Sequence, residues 1–175
     1  MNISKEELRN AKRGDIIEFG EILWYVLENQ SGCALIISRY SVAYRPFNNR
    51  NNDSRWDTSS LRKWLNRDFY SIFTDDEAKL IGENTSKNET TERGYGKIEK
   101  FETIDKIFLL DKSEAEYYIS EKIPFYNGDM WLRSPGVSMY RSEASCLSNF
   151  MNLHVYANPV TSRLDVHPVM KLMYD

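Results

Sequence analysis

The sequence predicts an α+β fold, and three observations lead there. Residues 16–19, 22–27 and 33–38 are β-like runs, rich in β-branched and aromatic side chains, that follow one another near the start. Helical patterning then takes over. Leu61, Trp64, Leu65 and Phe69 are spaced three, one and four apart, which places them on one helical face. The last fifty residues return to short apolar runs broken by proline, glycine and asparagine. Strands, then helices, then strands is the α+β order; a parallel sheet would alternate the two.

The chain opens with a short polar helix over residues 4–11. Ser4 and Glu7 have capping-box spacing, each side chain reaching the other's free backbone N–H. Gly14-Asp15 ends it. Turns at Gly20-Glu21 and Gln30-Ser31-Gly32 join the three β-like runs into an antiparallel meander. Residues 39–57 carry no apolar period, and the asparagine-rich FNNRNNDSRWD predicts a loop. Helix resumes near Thr58, with Trp64 on its buried face. Thr74 and Glu77 give a second capping box, for a helix stopped by Gly82. Residues 83–102 are polar and aperiodic, which predicts a long surface loop. A short strand at 107–110 precedes a third box, Ser113 with Glu116, whose helix ends at Pro124. Strands are expected at 131–133, 144–150, 153–156 and 164–170. No repeat is visible, so the chain reads as one domain over 14–175 with a helical extension at 1–13.

Composition narrows the class. At 175 residues and 41% hydrophobic, the chain can bury a full core without metal or disulfide. Its 23 basic and 26 acidic residues leave a net charge of −3, which disfavours a general nucleic-acid binder. No apolar run reaches the ~20 residues of a membrane span. The opening MNISKEELRN is polar, so no secretory signal or membrane is expected and the location is expected to be cytoplasmic. In that reducing setting Cys33 and Cys146 read as two small buried side chains. His154 and His167 are the only histidines. Without CxxC or HxxxH spacing, no metal site and no cofactor is expected.

Five stretches carry a resemblance as a set. They are Phe19-Gly20 with Trp24-Tyr25-Val26-Leu27; Trp56 with Ser59 to Asn66 (SSLRKWLN); Phe73-Thr74 with Glu77; Asp105 to Leu110 (DKIFLL) with Glu114-Ala115; and Trp131 to Gly136 (WLRSPG). In that order they resemble a bacterial domain family of unknown function. That family in turn resembles the C-type-lectin-like fold, also used by formylglycine-generating enzymes and by variable receptor proteins of diversity-generating retroelements. The resemblance implies antiparallel strands with a few packed helices and long irregular loops. It also departs in places. His167 in Val166-His167-Pro168-Val169 stands where the family has arginine, and Asp111 where it has serine. The paired cysteines of formylglycine-generating chemistry have no counterpart, since Cys33 and Cys146 fall in an early and a late strand. The Glu-Pro-Asn or Gln-Pro-Asp calcium triplet is reduced to Asn158-Pro159 followed by Val160.

The candidate ligand-binding residues are Trp131, Arg133, Ser134, His154 and His167; none is assigned a catalytic role. Trp131 could floor a site and Arg133 offer a two-pronged donor, although a structural pairing of Arg133 with a buried carboxylate is the favoured reading. Seven basic residues between 39 and 67, interleaved with Tyr40, Tyr44, Phe47, Trp56 and Trp64, form the other candidate surface. There too the structural reading, tryptophans in the core and a solvated charged face, is favoured. Gly94-Tyr95-Gly96-Lys97 fails as a phosphate loop, because Thr91 and Ile98 stand where glycine and serine or threonine belong. The expected function is a non-enzymatic domain whose partner is a protein, peptide or glycan. The alternatives are a divergent enzyme on the formylglycine-generating scaffold, with a site near His154, His167 and Arg133, or a nucleic-acid accessory using residues 39–67.

Overall fold

A computed structural model describes residues 3–30, 32–51, 53–91, 98–126, 128–136, 142–148 and 154–175. The Gly94–Lys97 stretch lies outside them, as do Phe150 and Leu153 of the expected late strands.

β1 (Ile16–Phe19), β2 (Ile22–Gln30) and β3 (Cys33–Ser38) form the expected antiparallel meander. Gly20 and Glu21 both have φ of 60°, the doubly positive turn whose twist suits a two-residue hairpin. A side chain on Gly20 would also strike the Phe73 ring. The meander is completed from far along the chain. β13 (Val169–Met173) pairs with β3, Val169 opposite Ile37. The other side of β13 carries β8 (Ile107–Phe108) and β5 (Ile81–Gly82).

A second sheet has the order β11-β10-β9-β12-β4. Its strands are β4 (Ala43–Pro46), β9 (Met130–Pro135), β10 (Glu143–Ser148), β11 (His154–Pro159) and β12 (Arg163–Val166). Only β9 and β12 pair in parallel among these strands. The connection His167-Pro168 carries the chain from this sheet into the first.

Among the described residues, four α-helices pack on the sheets. α1 (Lys5–Asn10) starts at the Ser4–Glu7 capping box, and its end is held by Asn29, whose side-chain amide donates to Leu8 O and Ala11 O at 2.7 Å each. α2 (Ser60–Trp64) continues through a π-helical turn, Leu65–Phe69, and a 3-10 turn, Tyr70–Ile72. α3 (Asp75–Leu80) has the expected Thr74–Glu77 box. α4 (Lys112–Ser120) follows β8. Trp24, Trp56 and Trp131 are fully buried, and each indole N–H has an acceptor: Phe19 O, Asp105 Oδ2 and Arg45 O. A buried polar edge without a partner would cost roughly 1–3 kcal/mol, so these bonds fix how the rings sit.

The α+β class is therefore observed, with antiparallel sheets and few helices, while several local expectations are corrected. The described part of the expected loop at 83–102 is largely strand. β6 (Asn84–Thr91) and β7 (Ile98–Asp105) pair in antiparallel register, Asn88 opposite Phe101. The third capping box is Asp111 with Glu114, not Ser113 with Glu116. Ser134 Oγ accepts the Lys112 N–H at 3.0 Å and so fixes where α4 begins. β4 lies inside the stretch expected to be a loop. The expected strand 164–170 is two strands, because Pro168 has no N–H to give a ladder. Leu61, Leu65 and Phe69 are buried as expected, but Trp64 is only partly so, tilted against Phe69 and lying under Arg45. Cys33 is partly exposed rather than buried; Cys146 is buried, and both thiols are free.

Candidate functional site

Residues 105–111 are the hub on which the motifs converge. Asp105, 3% exposed, accepts from Trp56 Nε1 at 3.1 Å and from Arg62 Nε at 2.6 Å. Asn66 Oδ1 accepts the N–H groups of Lys106 and Ile107, while its Nδ2 donates to Ile107 O. The spacing of Arg62 and Asn66, one helical turn apart, places both side chains over the same strand. Ser59 caps the helix that carries them. The SSLRKWLN and DKIFLL segments thus bind one another side chain to backbone.

WLRSPG binds the far end of the same hub. Arg133 is 3% exposed and commits all five of its N–H groups. Nε donates to Asn88 Oδ1 at 3.2 Å. Nη1 donates to Leu109 O at 2.7 Å and Glu114 Oε2 at 2.5 Å. Nη2 donates to Asp111 Oδ2 and Glu114 Oε1 at 3.0 and 3.1 Å. Asp111 also caps α4, accepting the Glu114 N–H at 2.8 Å. Burial pushes the Asp111 carboxyl above the ordinary carboxylate range, and the nearby Glu114 charge pushes the same way; the α4 N–H groups and Arg133 oppose them.

Above this cluster opens a cleft of about 600 Å³. The β6–β7 hairpin forms one side, with Lys87, Glu89, Lys100, Phe101 and Glu102; Asp111, Lys112 and Ser113 at the start of α4 and Ser134 and Pro135 of β9 form the other. Arg133 and Asn88 make its floor. On the rim Lys100 lies 3.4 Å from Glu89, while Lys87 and Glu102 are opposite one another in the strand register without an ion pair between them.

A family model described as a domain of unknown function (DUF6273) matches residues 31–172. The chain belongs to this family. No curated protein and no solved structure matches it. α1, β1 and all of β2 lie outside the matched residues of the DUF6273 domain, yet β2 pairs with β3 inside them.

The DUF6273 domain brings together only two of the five candidate residues, Arg133 and Ser134, at the cleft. Trp131 is fully buried against Phe47, 5.6 Å between ring centroids. His154 is exposed on β11 beside Tyr156. His167 is 1% exposed between the two sheets, where Nδ1 lies 3.1 Å from Ser38 O. Its Nε2 and the Ser38 hydroxyl have no hydrogen-bond partner among the described residues. Burial lowers the His167 pKa below the ordinary histidine value. Burial likewise pushes the Cys146 thiol up to about 12, so it is a neutral thiol at pH 7 rather than a nucleophile.

Sequence reasoning missed the hairpin side of the cleft, and it missed Asp129. That carboxylate accepts from Ser148 Oγ at 2.5 Å and from Tyr156 OH at 2.9 Å, tying the entry to β9 onto β10 and β11. The signal available for the hairpin was its threonine content and strict alternation; no comparable signal marks Asp129.

Proposed function

We propose that this DUF6273 domain is a non-enzymatic binding module of C-type-lectin-like fold. Its ligand is an uncharged polar segment, a peptide or a glycan, held in the cleft between the β6–β7 hairpin and the start of α4. The observation that carries this reading is the commitment of the cleft's charges. The buried cation of the cleft floor, Arg133, has no N–H left to donate, Lys100 is paired with Glu89, and Lys87 and Glu102 add one charge of each sign. A ligand bringing net charge would meet both signs on the rim and have to compete with the Lys100–Glu89 pair. One with hydroxyls and amides can add hydrogen bonds to the lysines, glutamates and Ser134 without doing so, and Phe101 supplies an apolar contact. The five ordered motifs and the antiparallel sheets with packed helices support the lectin-like reading.

The test is retention of labelled protein on arrays of neutral glycans and of uncharged hydrophilic peptides, comparing the parent with Ser113→Trp. Ser113 is exposed on the first turn of α4, so tryptophan there fills the cleft and leaves the core alone. The parent should retain a defined subset that the variant loses. Retention of nothing by the parent, or the same subset by both, overturns the proposal.

A further inference from the structure

Nine of the ten described arginines fall into two groups. Arg9, Arg13, Arg55, Arg62, Arg67 and Arg133 each have a carboxylate within 4.0 Å. Among the described residues, Arg50 has neither a carboxylate at that distance nor a ring beneath it; Arg39, Arg45 and Arg163 have no such carboxylate, and all three lie over aromatic rings. Arg39 is 5.1 Å from the Tyr40 centroid, Arg45 is 4.6 Å from that of Trp64, and Arg163 is 6.0 Å from that of Tyr44. The second group is gathered at one place. Arg45 and Tyr44 belong to β4, the edge strand of the second sheet; Arg39 and Tyr40 lead into it; Arg163 starts β12, opposite Pro46. Tyr40 and Tyr44 are 56% and 58% exposed, among the most exposed large apolar side chains of the molecule.

We infer that the β4 edge is a docking surface for an acidic peptide segment of a partner protein. A guanidinium lying over a ring leaves its in-plane N–H fork for a carboxylate; those of Arg39 and Arg45 have no acceptor among the described residues, while Arg163 spends one N–H on Tyr44 O. Tyrosine and arginine are also the side chains that dominate protein interfaces. The partner does not add a strand. Pro46 has no N–H, and Tyr44 O already accepts from Arg163 Nη2 at 2.9 Å, so the edge offers side chains rather than a ladder. Asp68 is bonded to Arg67 at 2.8 Å, and that bond, more than the Arg45 charge, holds its carboxyl below the ordinary range. A nucleic acid fits less well, because the net charge is −3 and residues 75–121 hold 13 acidic against 7 basic side chains, which repel a long polyanion.

Fluorescence anisotropy tests this with three probes: a ten-residue peptide of glutamate, aspartate and leucine, the same peptide with lysine for every acid, and a twenty-nucleotide thymidine strand. The acidic peptide should bind, about tenfold or more weaker at 300 mM than at 50 mM NaCl, since salt screens exposed charges. Arg39→Ala with Arg45→Ala should weaken it at least tenfold, and Tyr40→Ser with Tyr44→Ser, which leaves the charge unchanged, should weaken it severalfold. Lys5→Ala on α1 and the cleft-filling Ser113→Trp should leave it intact, which separates this surface from the cleft. Failure of the acidic peptide to bind, tighter binding of the thymidine strand, or full affinity in the tyrosine pair overturns the inference.

Discussion

The body of the domain and the β6–β7 hairpin are held by opposite means. In the body, Phe19, Trp24, Val26, Ile36, Ile37 and Met170 are fully buried, and sheet order follows from which faces are apolar. The hairpin buries Ser86, Asn88, Thr90, Thr103 and Asp105, and leaves Ile98 and Ile104 outside at 54% and 60% exposure. Three arginines from elsewhere pin it. Arg55 reaches Glu99 and lies over Phe101, Arg62 reaches Asp105, and Arg133 reaches Asn88. An apolar face can slide and repack; a polar face docks only where its partners are. The hairpin that walls the cleft is therefore set by a handful of directional bonds, and the body by a large area without direction.

That contrast is sharpened by four measurements. Trp131→Ala strikes the body and should cost about 3–5 kcal/mol, lowering the denaturant midpoint for the whole domain. An unchanged midpoint would break the assignment of Trp131 to the core. Arg133→Ala strands two carboxylates and Asn88, a loss of about 3 kcal/mol, placed at the low end because Asp111 and Glu114 keep some contact with water. Arg133→Lys should recover only part, since three donors cannot replace five. If lysine restores the full midpoint, the planar fork is not what holds this corner.

Arg55→Ala should act locally. Its partners are partly exposed, so global stability should fall by about 1 kcal/mol or less. Amide exchange in β6 and β7 should nevertheless speed up, and added salt should speed it further, while β2 and β3 stay protected. Equal loss of protection in both regions would mean that hairpin and body form one cooperative unit. The smallest effect belongs to His167. Its folded pKa lies below the unfolded value of about 6.5, so the unfolded chain binds the proton first as pH falls. Stability from this group is complete above about 6.5 and declines below it. His167→Asn should flatten the difference in denaturant midpoint between pH 7.5 and 5.5; an identical difference in parent and variant would remove His167 as its cause.

The same division explains what could be read from the sequence. The β1–β3 meander was legible because Ile, Trp, Tyr and Val mark strands by composition and glycines mark the turns. α1 and α3 were legible from their capping boxes. The hairpin was not, since its buried face is serine, asparagine and threonine, and a search for apolar alternation reads that as loop. Two boxes compete near α4, Asp111 with Glu114 and Ser113 with Glu116. Distant residues decide between them: Arg133, 19 residues from Glu114 in the chain, and Ser134, which accepts the Lys112 N–H. For the site, Arg133 and Ser134 were legible as a dense polar-aromatic motif. His154 and His167 were chosen for their chemistry alone, and the fold sends one to the surface and the other into the core.

The place of β13 bears on how the protein is made. Ile37 and Val169 are neighbours in the first sheet, yet residues 38–168 are synthesised between them. A ribosome releasing this polypeptide at roughly 5–20 residues per second exposes the β1–β3 meander for several seconds before its partner strand emerges. During that interval β3 presents an unpaired edge with Ile36 and Ile37 uncovered, the kind of edge that recruits a second nascent chain or a chaperone. Long-range pairing of this kind is slow to form. Yield in the cell is therefore expected to depend on translation speed and chaperone supply more steeply than on the equilibrium stability of the finished domain.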